Sequence, residues 1–238
     1  MHQEIPLRKD FIHHQTSKIS GSLREVVFGA EDGMVSTLGA LTGIAIGTSS
    51  QFTVILAGVV IVAVESTGMS IGSYLSNKSV QKADDRKLLE EREEILNHPE
   101  AEKAELSELL VRDGWSPDLA QQMSEYAATD SELMLKEMAY RELDVTPNKN
   151  ETPYTDAAFM FGTYIAGGII PVLPYFFLPM STAIVFSIVI TLIGLFGLGA
   201  LTAKFTKENW IKSGLQMLVL ASLAAAIGYV IGRIANVS

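Results

Sequence analysis

Five stretches of this chain, at about 25–49, 52–76, 156–179, 181–203 and 211–232, are apolar over lengths that only a bilayer or a very large core can use. A helix needs about 20 such residues to cross ~30 Å of hydrocarbon. A soluble domain of 238 residues, even one that is 48% hydrophobic, has no use for five of them. The expected fold class is an all-α integral membrane protein with five transmembrane helices. The first 23 residues are polar and lack the apolar centre of a cleavable signal, so the first stretch is expected to remain as an anchor.

Basic residues near the segment ends set an expected orientation. The N-terminal tail carries Arg8, Lys9, Lys18 and Arg24, and the bend at Ser49-Ser50-Gln51 carries none. Lys78 and Lys82 follow the second segment, and Lys204, Lys207 and Lys212 join the fourth to the fifth. The alternation puts the N-terminus and the long insert in the cytosol, with only Arg233 on the wrong side. The expected divisions are a cytoplasmic tail at 1–23, helices one and two at 24–81, a helical insert at 82–148 and helices three to five at 149–238.

The insert is also where the charge lies. Residues 82–148 hold 18 Asp and Glu against 8 Lys and Arg, while the rest of the chain holds 9 against 10. A soluble lobe this acidic repels nucleic acid and attracts cations. Nothing between Tyr74 and Ile95 breaks a helix, so segment two is expected to run into the insert as far as Pro99. Further helices are expected over about 100–112, from Ser116-Pro117, and from Asp130 or Ser131 to about Asp144, with Pro147–Asn150 as the linker back. In segment one, Gly39, Gly43 and Gly47 make a small-residue face that serves either packing within one subunit or a homodimer seam. In segment three, Gly167-Gly168 followed by Pro171 and Pro174 predicts a broken or kinked helix.

Two apolar segments carry acid. Asp32 lies inside the cytoplasmic end of segment one, and Glu65 lies near the middle of segment two, with Met69 one turn later on the same face. A carboxylate at bilayer depth costs on the order of 2.5–3.5 kcal/mol on insertion scales and persists where a cation or proton neutralises it. Asp32, Glu65 and Met69 are therefore the candidate pathway residues, whereas Glu31 fits a helix-end residue reaching the interface. The absence of cysteine leaves carboxylate, imidazole, carbonyl and thioether ligands, which suit Fe2+ and Mn2+. The insert offers three helical stripes: Glu90 and Glu94 with His98, then Glu102, Glu105 and Glu108, then Met134, Met138 and Glu142. No histidine has the Glu-x-x-His partner of a di-iron oxidase. No phosphate-binding loop, nucleophile elbow or HExxH occurs either, so the chain is not expected to be an enzyme.

Three stretches, Arg24–Thr37 with its Glu31-Asp32-Gly33, Met69–Leu75, and Gly167–Phe177, resemble the vacuolar iron transporter (Ccc1-like) family in order and spacing. The resemblance covers about 24–235. It implies a dimeric, five-helix transporter that moves Fe2+, and in some members Mn2+, out of the cytosol in exchange for protons. It also implies that Asp32 and Met69 line the path. Metal would be gathered at the cytoplasmic mouth by Glu90 or Glu91, Glu94, Glu105, Glu108, Met138 and Glu142. Plant-type members carry a further Glu eight residues before the helix-two Met, where this chain has Ile61, so Glu65 is displaced by one turn.

The expected function is transport of Fe2+ or Mn2+ out of the cytosol by proton antiport, with no permanently bound cofactor. The expected partners are divalent metal ions, protons, the lipid bilayer and a second copy of the chain, with no nucleic acid. The expected location is the cell membrane of a prokaryote or the vacuolar membrane of a eukaryote. The alternative is a membrane-anchored metal sensor or buffer that does not transport. Glu65 separates the two, because an anchor needs no acid at mid-bilayer.

Overall fold

The computed structural model describes residues 22–48, 50–145 and 152–237, and all regular structure among them is α-helical. Arg8, Lys9 and Lys18 of the tail, Ser49 of the first bend and the Pro147–Asn150 linker lie outside the described residues. The chain divides into two units at Tyr74/Leu75 and at Glu151/Thr152.

The first unit contains α1 (Leu23–Gly47), the first half of α2 (Gln51–Asn97), α6 (Pro153–Val172), the short α7 (Pro174–Phe177), α8 (Met180–Thr206) and α9 (Trp210–Val237). The helices α2, α6, α8 and α9 are long and apolar enough to cross a membrane. α1 has the length, at 25 residues, but Glu31, Asp32 and its glycines hold its hydropathy below theirs. Large side chains such as Phe52, Val64, Phe186, Ile193 and Ile231 point outward and are more than half exposed. In water such a surface would be an aggregation hazard, whereas in hydrocarbon it is the favourable face.

α1 is the centre of this unit and packs most extensively on α6 and α9. Glycines make both approaches possible. A Cβ on Gly33 would lie 2.4 Å from the carbonyl oxygen of Tyr164 on α6, and one on Gly167 would lie 2.3 Å from that of Ala30. On the other side, a Cβ on Gly228 of α9 would lie 1.9 Å from the Gly39 oxygen. The Gly39/Gly43 face is thus used within one chain, the first of the two roles its spacing allowed.

The expected break in segment three occurs at Leu173, between α6 and α7. Pro174 has no N–H to continue the ladder, so carbonyls near the break need other donors. Ser187 Oγ donates to Pro171 O at 2.7 Å, and Gln51 Nε2 donates to Tyr175 O at 2.6 Å and to Leu178 O at 3.0 Å. Irregular backbone at membrane depth survives only with such satisfaction.

α2 is continuous over 47 residues, about 70 Å at 1.5 Å per residue, and its second half belongs to the second unit. There it joins α3 (Pro99–Arg112), α4 (Pro117–Ala127) and α5 (Ser131–Arg141). Pro99 and Pro117 each occupy a first helical turn, and Asp130 caps α5 by accepting from Glu132 N and Leu133 N. Ile95, Leu106, Leu109, Leu110, Met134 and Met138 form the core of this unit. α5 ends at Arg141, short of the expected Asp144. Arg141 is nearly buried, pairs with Asp113 and with Glu137 at 3.1 Å, and so ties the end of α5 to the end of α3. Asp144 then turns the chain with φ of 52°.

Candidate functional site

In the first unit, Asp32 of α1 is half-buried and lies close enough to Glu65 of α2 for the two charges to interact. Glu65 is not the unpartnered carboxylate that its sequence position suggests. Tyr164, fully buried on α6, donates its hydroxyl hydrogen to Glu65 Oε2. The same hydroxyl lies 2.7 Å from Ser36 Oγ, and Ser36 Oγ lies 2.7 Å from the main-chain oxygen of Asp32. Carboxylate, phenol and hydroxyl thus form one chain of contacts from α2 through α6 to α1. Met69 follows Glu65 by one turn and is half-buried. Toward the end of this unit's half of α2, Ser70 Oγ donates to Ala157 O at 2.9 Å and the Tyr74 and Tyr154 rings lie 4.8 Å apart. Among the described residues no Lys or Arg pairs with Asp32 or Glu65.

In the second unit the carboxylates have a different problem. Glu91 and Glu102 are 3% and 6% exposed, and Glu91 Oε1 and Glu102 Oε2 are buried without a hydrogen-bond partner. Their neighbours are other acids: Glu142 beside Glu91, and Glu94 and Glu105 beside Glu102 and Glu142. Ionised carboxylates only accept, so they cannot satisfy one another unless one takes a proton or a cation lies between them. Burial first, then the Glu142 and Glu102 charges, push the Glu91 carboxyl up to about 8. Burial and the Glu105 charge likewise raise Glu102 and Glu142 above the usual carboxylate range.

The expected metal residues therefore separate. Glu91, Glu94, Glu105 and Glu142 come together around Glu102. Glu90 is turned away and ion-paired to Arg86 at 2.7 Å. Glu108 is exposed and takes no part in the raised cluster. Met138, fully buried, is part of the apolar core of the unit. Among the described residues no three acids or histidines are close enough to hold one ion as they stand. Sequence reasoning left Glu102 out of the expected ligands although it heads the Glu102/Glu105/Glu108 stripe. The signal was there: Glu102 is four before Leu106 and seven before Leu109, on the apolar side of α3. Tyr164 and Ser36 were also missed.

A family model described as "VIT family" matches residues 23–233. The chain is 29% identical over 212 residues to vacuolar iron transporter 1 of Tulipa gesneriana, covering 89% of this chain and 86% of that one. It is 28% identical over 233 residues to vacuolar iron transporter 1 of Arabidopsis thaliana, covering 96% and 93%. It is also 28% identical over 208 residues to vacuolar iron transporter 2 of Oryza sativa subsp. japonica, covering 87% and 85%. These relatives are named as transporters, not enzymes.

Proposed function

Because the chain belongs to the VIT family, we propose that it carries Fe2+ or Mn2+ out of the cytosol in exchange for protons. The observation that carries the reading is the pair Asp32 on α1 and Glu65 on α2, two carboxylates near enough for their charges to interact and with no basic partner among the described residues. Two like charges this close repel, and a divalent cation or a proton relieves the repulsion. A group that takes a cation from one side and a proton from the other couples the two fluxes. Met69 supplies a thioether contact one turn along α2, a ligand that Fe2+ accepts better than Mg2+ does.

In this reading α1 crosses the bilayer with the four apolar helices, its acids shielded by the helices around it. The N-terminus and the insert face the cytosol, and the insert's carboxylates gather metal before transport. The working unit is a homodimer. Its support is an apolar groove of ≈700 Å3 beside α1 and α9, lined by Val35, Ala40, Ile44, Ile227 and Ile231.

The test is uptake of Fe2+ or Mn2+ into proteoliposomes with a pH gradient imposed or withheld. Glu65→Gln keeps size and hydrogen bonding but removes the charge. The expected result is normal insertion with loss of gradient-driven uptake. Wild-type uptake in this variant would leave the sensor or buffer reading ahead.

A further inference from the structure

We propose that Tyr164 is a positioning residue that aims the Glu65 carboxylate toward Asp32 and so sets the geometry in which the two acids meet the ion. The inference rests on the transport reading above. Its basis is the hydrogen-bond chain. Glu65 is itself exposed on α2, as is Gly68 beside it, so its side chain has room to turn outward. Among the described residues, the Tyr164 hydroxyl alone holds Oε2. Tyr164 itself is fully buried. Its backbone reaches this position because the residue after Asp32 is glycine, and a Cβ on Gly33 would meet the Tyr164 carbonyl at 2.4 Å. The Asp32-Gly33 pair thus brings one acid to the site and, through the glycine, admits the residue that holds the other.

Ser36 completes the arrangement. It has one hydrogen and two acceptors, Tyr164 Oη and Asp32 O, each at 2.7 Å, so it serves one at a time. When Tyr164 moves, Ser36 falls back on its intrahelical bond and loses little. A carboxylate held in one rotamer presents a fixed oxygen-to-oxygen spacing, and such spacing discriminates between divalent ions.

Tyr164→Phe removes the hydroxyl and keeps the ring. In proteoliposomes its KM for Fe2+ or Mn2+ is expected to rise on the order of tenfold, the scale of one hydrogen bond to a charged group. The ratio of Fe2+ to Mn2+ uptake is expected to flatten toward one. A purely structural role would lower the amount of folded transporter and leave KM and the ion ratio where they were. Glu65→Gln is measured beside it. Wild-type transport in Glu65→Gln sinks the pathway reading itself. Lost transport in Glu65→Gln, with unchanged KM and ion ratio in Tyr164→Phe, overturns the Tyr164 assignment alone. Should Tyr164→Phe fail to accumulate, Ser36→Ala decides by the same two readouts, with a smaller rise in KM expected and no change overturning the assignment.

Discussion

The two units handle their carboxylates in opposite ways. In the membrane-type unit the Glu65 carboxylate receives a hydrogen bond from Tyr164, and the charge is held in place. In the insert, Glu91 and Glu102 face other carboxylates, and two of their oxygens have no donor at all. The first arrangement fixes geometry and leaves charge to be exchanged. The second leaves charge unbalanced, so neutralisation itself holds the cluster together. Transport calls for the first and collection for the second, and the contrast suggests that the two sets of acids will fail differently when altered.

The largest expected effect is on flux. Asp32→Asn should reduce gradient-driven metal uptake by about 100-fold or more, the scale on which pathway carboxylates act when a charged interaction of some 3 kcal/mol is lost. The insert variant Glu91→Gln, Glu102→Gln, Glu142→Gln should behave otherwise. It should raise the metal concentration needed for half-maximal uptake and leave the saturated rate near wild type. Radiometal or fluorescence-quench uptake across a metal titration separates the two. If the triple variant lost its saturated rate as Asp32→Asn does, the division between collecting and conducting acids would collapse.

The next effect is on pH dependence. The folded carboxyls of Glu91, Glu102 and Glu142 lie above the ordinary value of 4.5, with Glu91 at about 8. Below about pH 4.5 both folded and unfolded chains hold these protons. Between 4.5 and about 8 the folded chain keeps protons that the unfolded chain has released, so stability falls as pH rises. A divalent cation replaces the protons and removes the penalty. Mn2+ at 100 times its Kd should therefore stabilise by about 2.7 kcal/mol at pH 8.5 and by much less at pH 5.5, where protons compete. Thermal unfolding of the full chain in detergent, with and without Mn2+, measures this. An equal Mn2+ shift at both pH values would mean that the buried acids are not where the metal binds.

A third expectation concerns the packing that brings the first site together. Gly33→Ala would place a methyl 2.4 Å from a backbone oxygen that has no side chain to rotate away. It should destabilise by about 1–3 kcal/mol, as overpacking does. It should also displace Tyr164. Gly68→Ala, on α2 with nothing within 4 Å of the new methyl, should be neutral or slightly stabilising. A thermal shift assay on both variants checks the contrast.

Much of this was legible in the chain. Apolar run length gave four long apolar helices and proline gave the break at Leu173, because each depends on residues close in sequence. The partner of Glu65 was not legible, since Tyr164 is 99 positions away and a tyrosine in an apolar run reads as core filler. Nor was the choice between Glu90 and Glu91. A helical stripe shows that acids share a face, but which face turns inward depends on packing against α3 and α5, as the burial of Glu91 beside Glu142 demonstrates.

The smallest expected effect tests that choice directly. Glu90→Gln and Glu91→Gln are adjacent, chemically identical changes on one helix. Glu90 is exposed and pairs with Arg86 one turn away, an arrangement that contributes about 0.3–0.5 kcal/mol. Its removal should leave metal affinity and uptake unchanged, and Glu108→Gln should be equally silent. Glu91→Gln alone should weaken Mn2+ binding several-fold and abolish most of the steepness with which stability falls between pH 5.5 and 8.5. If calorimetric titration with Mn2+ found Glu90→Gln as damaging as Glu91→Gln, the acid helices would be gathering metal by overall charge. The contrast between fixed and unbalanced carboxylates would then reduce to a contrast between buried and exposed ones.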